Sequence, residues 1–177
     1  MELGKFPPEM LARILAKNRI HDPRVLLGPR VGEDAAVLDM GSRLLVAKSD
    51  PITFAIEDIG WYAVQVNAND IACTGATPKW FLATILVPER FTQDEAEGVF
   101  DQVLKACNDL GVSLVGGHSE VTYGIDRPIV VGSMLGEVDR DRLITTGGAR
   151  EGDSVVVTKG IAIEGCAILA RERSALL

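Results

Sequence analysis

Residues 79–87, KWFLATILV, form an almost uninterrupted apolar run of strand length set between two helical patterns. A run without polar alternation suits a strand covered on both faces, so it predicts a buried central strand. The helix before it spans 61–73 and is stopped by Gly75 and Pro78. The helix after it opens at Thr92-Gln93-Asp94-Glu95, a capping box in which hydroxyl and carboxylate satisfy each other's orphan backbone donors. That second helix is expected to turn Val99, Phe100, Val103, Leu104, Cys107 and Leu110 inward and to stop at Gly111.

Around this centre the other elements are shorter. Pro7-Pro8 and Glu9 predict a helix start, since proline suits a first turn and an acidic side chain suits its dipole. Residues 18–32, with Pro23, Gly28, Pro29 and Gly32, read as a loop. Residues 35–39 and 44–48 read as two strands around a Met40-Gly41-Ser42 turn. Pro51 has no N–H for a ladder, which places Asp50 at a strand end. Residues 112–115 predict a short buried strand that breaks at Gly116-Gly117, and 128–138 a longer one. Residues 139–150 look like a linker. Residues 153–158 then predict a strand and 160–173 a turn and helix, too little chain to bury a core of its own. The division is therefore a first domain at 1–138, a linker at 139–150 and the truncated start of a second domain at 151–177.

The formal net charge of −7 leaves no basic stripe to neutralise phosphate esters, so nucleic acid is not an expected partner. No apolar run reaches the ~18 residues that span a bilayer, and the N-terminus lacks a signal-peptide core. A cytoplasmic protein without a membrane partner is expected. The three cysteines, Cys73, Cys107 and Cys166, lie in apolar helical patterns and read as buried free thiols. No CxxC suggests zinc, and the GxxxxGK[ST] loop, the nucleophile elbow and the kinase signatures are all absent.

What remains is a set of polar residues in unusual places. Asn67, Asn69 and Asp70 fall within four residues of a helix whose neighbours are small (Ala63, Ala68, Ala72, Cys73), although Asn and Asp compete with helical hydrogen bonding. Asn67 and Asp70, three apart, share a face. Other carboxylates fall at Gly- or Pro-flanked junctions: Glu33 and Asp34, Asp50, and Glu120. Such oxygen donors suit Mg²⁺, which keeps substrate phosphates in its shell. Gly32, Gly116 and Gly117 would let backbone N–H groups approach phosphate oxygens. Acidic residues also sit in turns for purely local hydrogen bonding. His118 could touch phosphate or act as a general acid or base, or be an ordinary loop histidine. His21 reads as solvated.

Taken in order, Gly32-Glu33-Asp34-Ala35-Ala36, Asp50-Pro51-Ile52-Thr53, Asn67-Ala68-Asn69-Asp70-Ile71-Ala72 and Gly116-Gly117-His118 resemble the motifs of the aminoimidazole ribonucleotide synthetase (PurM-like) superfamily. That superfamily includes thiamine-monophosphate kinase, selenophosphate synthetase and HypE, and the strongest resemblance is to HypE-like proteins. It implies an α/β (α+β) first domain, a mixed sheet with helices on one face, whose sheets pair into a barrel-like homodimer. It implies ATP along that interface, with Mg²⁺ on Asp34, Asp50 and Asp70, and Glu33 sharing that duty. It implies Asn67 and Asn69 beside the nucleotide; from the residues themselves, Gly32, Gly116 and Gly117 are the further candidates for holding phosphate and His118 is the candidate catalytic residue. The implied reaction is phosphoryl transfer that activates a small-molecule substrate, in which positioning and charge neutralisation supply most of the catalysis. His118-Ser119 stands where the thiamine kinases often carry Asp-Thr. A dimerising, nucleotide-binding fragment without turnover is the competing expectation.

Overall fold

The computed structural model describes residues 3–173. Two compact units divide the chain at Thr146 and Gly147. The first carries α1 (Pro8–Leu15), β1 (Val25–Leu27), β2 (Ala36–Asp39), β3 (Leu44–Ile52), α2 (Ile59–Cys73), β4 (Thr77–Pro88), α3 (Gln93–Leu110), β5 (Ser113–Thr122) and β6 (Ile129–Val138). Its six strands form one mixed sheet in the order β1-β2-β3-β6-β4-β5. All neighbours are antiparallel except β4 and β5, which are parallel because α3 carries the chain back between them.

Both long helices pack on one face. Val37, Val46, Phe81, Val130 and Met134 from the sheet are fully buried with Ile59, Val64, Ile71 and Val103 from α2 and α3. α2 lies across β3 and β6 and also packs on α3. Its close approach to β6 depends on two glycines four residues apart. A Cβ on Gly136 would stand 2.5 Å from Ile71 Cγ2, and one on Gly132 would strike the Asn67 amide and stand 2.7 Å from the Phe81 ring. Asn67 and Ile71 are likewise four apart on α2, so helix and strand meet at matched positions.

Several expectations change. The run 79–87 is central in the ladder, but only one of its faces is covered. Phe81, Ala83, Ile85 and Val87 are buried, Leu82 is exposed, and Trp80, Thr84 and Leu86 are half-buried. β3 runs through Pro51, which pairs in register with Val131. This is possible because β2 covers only Leu44–Ala47, so beyond Ala47 that side of β3 is a free edge where a missing N–H costs nothing. β5 does not break at Gly116-Gly117. A one-residue bulge at Val115 absorbs the irregularity and the ladder continues to Thr122. The loop at 18–32 contains the short strand β1.

α3 has the capping box at Thr92 and Glu95 and ends on Gly111 in the left-handed region. Its buried stripe is Val99, Val103, Ala106 and Cys107, whereas Phe100, Leu104 and Leu110 are exposed. The covered face is thus one row wide rather than two. Of the thiols only Cys107 is buried, and burial pushes its pKa up to about 11. Cys73 and Cys166 are exposed.

Residues 139–146 belong to the first unit. A short 3-10 turn (Arg140–Arg142) follows β6, and Ile144 N–H donates to Thr74 O at 2.9 Å. In the second unit the expected strand at 153–158 is irregular, with Val155, Val156 and Val157 exposed. A lone β segment has no neighbour for its ladder, and none is present among the described residues of that unit. The expected helix is α4 (Ile163–Glu172). No helix among the described residues is long and apolar enough to cross a membrane.

Candidate functional site: a carboxylate cluster on Lys48

Along β3, Leu44, Val46 and Ile52 are buried under the helices, so Lys48 and Asp50, in the same alternating series, face the helical side. α2 crosses above and presents Asp70, one helical turn from Asn67. The turn before β2 brings Asp34 to the same place. The Lys48 ammonium lies 2.8 Å from Asp70 Oδ2, 3.5 Å from Asp50 Oδ2 and 4.0 Å from Asp34 Oδ1. Lys48 is the most enclosed of the four, its side chain 12% exposed against 22% for Asp70, 34% for Asp50 and 60% for Asp34. Burial alone would lower the lysine pKa. The hydrogen bond that the ammonium donates to Asp70 and the charges of Asp70, Asp50 and Asp34 outweigh it and hold the ammonium above its ordinary value.

Asn67 is fully buried beneath this cluster. Its amide Nδ2 donates to Asp50 O at 3.2 Å and to Ala63 O at 2.8 Å. The side chain therefore ties α2 to the backbone of the strand that carries Asp50. Two carbonyl acceptors fix the orientation of the amide, and Asn67 Oδ1 is left buried without a hydrogen-bond partner. An unmade bond of this kind costs roughly 1–3 kcal/mol. Asn67 thus supports the cluster from below, whereas Asn69, two positions on, is exposed on another side of the helix.

The remaining residues singled out from the sequence lie elsewhere. Glu33 is held by other partners, with its side chain 5% exposed; Arg30 donates to its Oε1 at 2.8 Å and Thr146 N–H to its Oε2 at 3.5 Å. Burial would raise the Glu33 pKa, but these partners overcome it and hold the carboxyl below its usual range. Gly32 precedes it with φ +91° and open space around the position of a Cβ.

Gly117 shares a lateral row with Ala83, Gly132 and Asp50, and is therefore three strand spacings from Asp50, on the order of 14 Å. Gly116 sits one position earlier on the same outer strand. His118 is in register with Thr84, Val131 and Pro51, a row on the face away from the helices. There it is exposed and pairs with Glu120 through Nε2 and Oε2 at 2.9 Å. The hydrogen bond from His118, with a second from Thr122, holds the Glu120 carboxyl below its usual range. Within one chain, then, Asp34, Asp50 and Asp70 come together, and Glu33, Gly116, Gly117 and His118 do not join them.

Lys48 is the site residue that sequence reasoning missed. The available signal was its place two residues before Asp50 in an apolar strand, which puts both on one face. The donor set suits a hard cation, since three carboxylates from three segments surround one cationic position. That position is held by an ammonium, and among the described residues no group of three or more His, Cys, Asp or Glu side chains stands spaced to hold a metal ion.

The sequence pattern of the AIR synthase related protein N-terminal domain matches residues 32–138. The chain belongs to this family. The matched stretch contains Lys48 and all three aspartates and ends on the last residue of β6. Among AIR synthase related proteins, the chain is 29% identical over 172 residues to a putative hydrogenase expression/formation protein of Methanocaldococcus jannaschii, covering 94% of this chain and 51% of that protein. It is 29% identical over 153 residues to the thiamine-monophosphate kinase of Aquifex aeolicus, covering 81% of this chain and 48% of that one. The crystal structure of the hydrogenase maturation protein HypE superposes with a TM-score of 0.67 at 27% identity, covering 86% of this chain and 48% of that one. A HypE structure in complex with ATP superposes at 0.52, also at 27% identity, covering 70% and 37%. The chain spans about half the length of these curated relatives.

Proposed function

We propose that this chain is the nucleotide-binding half of an ATP·Mg²⁺-dependent synthetase or kinase, built to activate a small-molecule substrate by phosphoryl transfer. The observation that carries this reading is the convergence of Asp34, Asp50 and Asp70 on one half-buried cation position. The HypE structure holding ATP supports it. Asp34, Asp50 and Asp70 would hold the metal, which would supply charge neutralisation for the transferring phosphoryl group. Asn67 keeps the backbone of Asp50 and the helix of Asp70 at a fixed spacing. Phosphoryl transfer asks mainly for such positioning, and no nucleophilic side chain is required of this half.

The experiment is thermal unfolding of the chain with and without ATP and Mg²⁺. A ligand at 100 times its Kd adds about 2.7 kcal/mol to stability, so a rise in midpoint is expected, and Asp70→Asn is expected to abolish it. An unchanged midpoint at millimolar nucleotide would refute nucleotide binding. The thiamine-monophosphate kinase relative favours a second reading, a kinase acting on a thiamine phosphate. Turnover with thiamine monophosphate, by the chain or by a longer product of its gene, separates the two.

The same proposal includes a homodimer formed through the uncovered sheet face. Leu82 is exposed there and Leu45, Trp80, Val131 and Leu135 are only half-buried, an apolar surface that the helices do not cover. Light scattering is expected to give twice the chain mass, and Leu82→Asp to halve it. A wild-type monomer at tens of micromolar would refute the pairing.

A further inference from the structure

We propose that Lys48 is the resident counter-cation of the carboxylate cluster, and that a divalent metal enters by displacing its ammonium rather than by filling an empty place beside it. This rests on the reading of the cluster as a metal–nucleotide site. The lysine head has three N–H donors and meets three carboxylates, from the turn before β2, from β3 and from α2, at 4.0, 3.5 and 2.8 Å. Its row on the sheet continues through Met134 and Phe81, both fully buried, so the aliphatic stem runs over apolar surface and the charged end has one polar place to go. A metal ion bonded to the same oxygens would stand within about 5 Å of that ammonium, and two cations so close in a partly buried site repel strongly. Ammonium and metal are therefore alternatives at one position. Without metal, Lys48 keeps three like charges from forcing apart the β2 turn, β3 and α2. With metal alone, the exchange gains little, because one cation replaces another. The negative charge of nucleotide phosphates favours the exchange, since it attracts the metal into the site and offers the released ammonium a partner.

The test is metal affinity, read with Mn²⁺ by electron paramagnetic resonance on the wild type and on Lys48→Met, in the presence and absence of ATP. The wild type is expected to bind Mn²⁺ alone weakly. Lys48→Met is expected to bind it at least tenfold more tightly, while unfolding at lower temperature when metal is chelated. A merely structural lysine would weaken metal binding when removed, so unchanged or poorer Mn²⁺ affinity in Lys48→Met overturns the proposal. Lys48→Gln, which keeps a polar head, should show the same gain where the methionine variant does not fold. A gain in Mn²⁺ affinity with no effect of ATP on either protein would uphold the role of Lys48 and refute the nucleotide reading.

Discussion

Replacing Asn67 by aspartate should destabilise the first unit by about 3–5 kcal/mol at neutral pH, the range for a buried charge left without a partner. The change is nearly isosteric, so no cavity or clash contributes. What is lost is the donor. Asn67 Nδ2 serves Asp50 O and Ala63 O, and a carboxylate would turn an oxygen toward each carbonyl instead. The cluster above it sets the three negative charges of Asp34, Asp50 and Asp70 against the one positive charge of Lys48, and this net negative field raises the energy of a further negative charge. The folded-state pKa of the new carboxyl must then lie above its unfolded value of about 3.9. A carboxyl shifted in this direction binds more protons folded than unfolded. The variant's deficit is therefore small near pH 4 and grows as pH rises toward the folded pKa. Urea unfolding at pH 5 and pH 7.5 reads this directly, with a larger deficit expected at pH 7.5. Equal deficits at both values would mean that the lost hydrogen bonds, and not the buried charge, account for the effect.

Gly132→Ala should cost about 3 kcal/mol or more and lower the melting midpoint by roughly 10 °C, at the 2–4 °C per kcal/mol usual for a unit of this size. The added methyl would strike the Asn67 amide and stand 2.7 and 2.8 Å from Phe81 Cε2 and Cζ. Both side chains are fully buried, so neither can swing aside. α2 must lift from β6, which also loosens the Asn67 bond to the strand that carries Asp50. The response to ATP and Mg²⁺ should weaken with it. Gly98→Ala is the matched control, because nothing lies within 4 Å of the new methyl on α3 and alanine favours a helix. Its midpoint should stay level or rise. Because Gly132 and Asn67 touch, the double variant should lose less than the sum of the two singles.

The elements that local chemistry dictates were legible in the sequence. The capping box at Thr92, the stop at Gly111 and the helix around Asn67 need only a few neighbouring residues, and each is present as read. Asp34, Asp50 and Asp70 lie together around Lys48; their role as metal ligands is what the resemblance to the PurM-like proteins implied. Pairing decided what was missed. Pro51 could remain in β3 only because β2 stops short, and the length of a neighbouring strand is not written around Pro51 itself. The ladder through Gly116-Gly117 depended on a bulge at Val115 opposite β4. The valines at 155–157 had the composition of a strand and no partner to make them one. Lys48 escaped notice because a single lysine in a strand normally reads as a solvated residue, and its three partners become visible only when β2, β3 and α2 are assembled.

The position of β6 has a consequence for the order in which the protein is made. β6 is the last strand of the first unit, yet it lies between β3 and β4. While a ribosome is still synthesising residues before 129, the sheet can exist only as two separate pieces, β1-β2-β3 and β4-β5, each with an open inner edge. Lys48 and Asp50 are on the first piece, Asp34 is in the turn before β2 and Asp70 is on α2, all made before residue 129, but the two glycines that seat α2 are on the strand still to come. A nascent chain therefore carries every charged group of the cluster before it has the surface that sets their spacing. The arrival of one ten-residue strand joins the halves and completes the site in the same event.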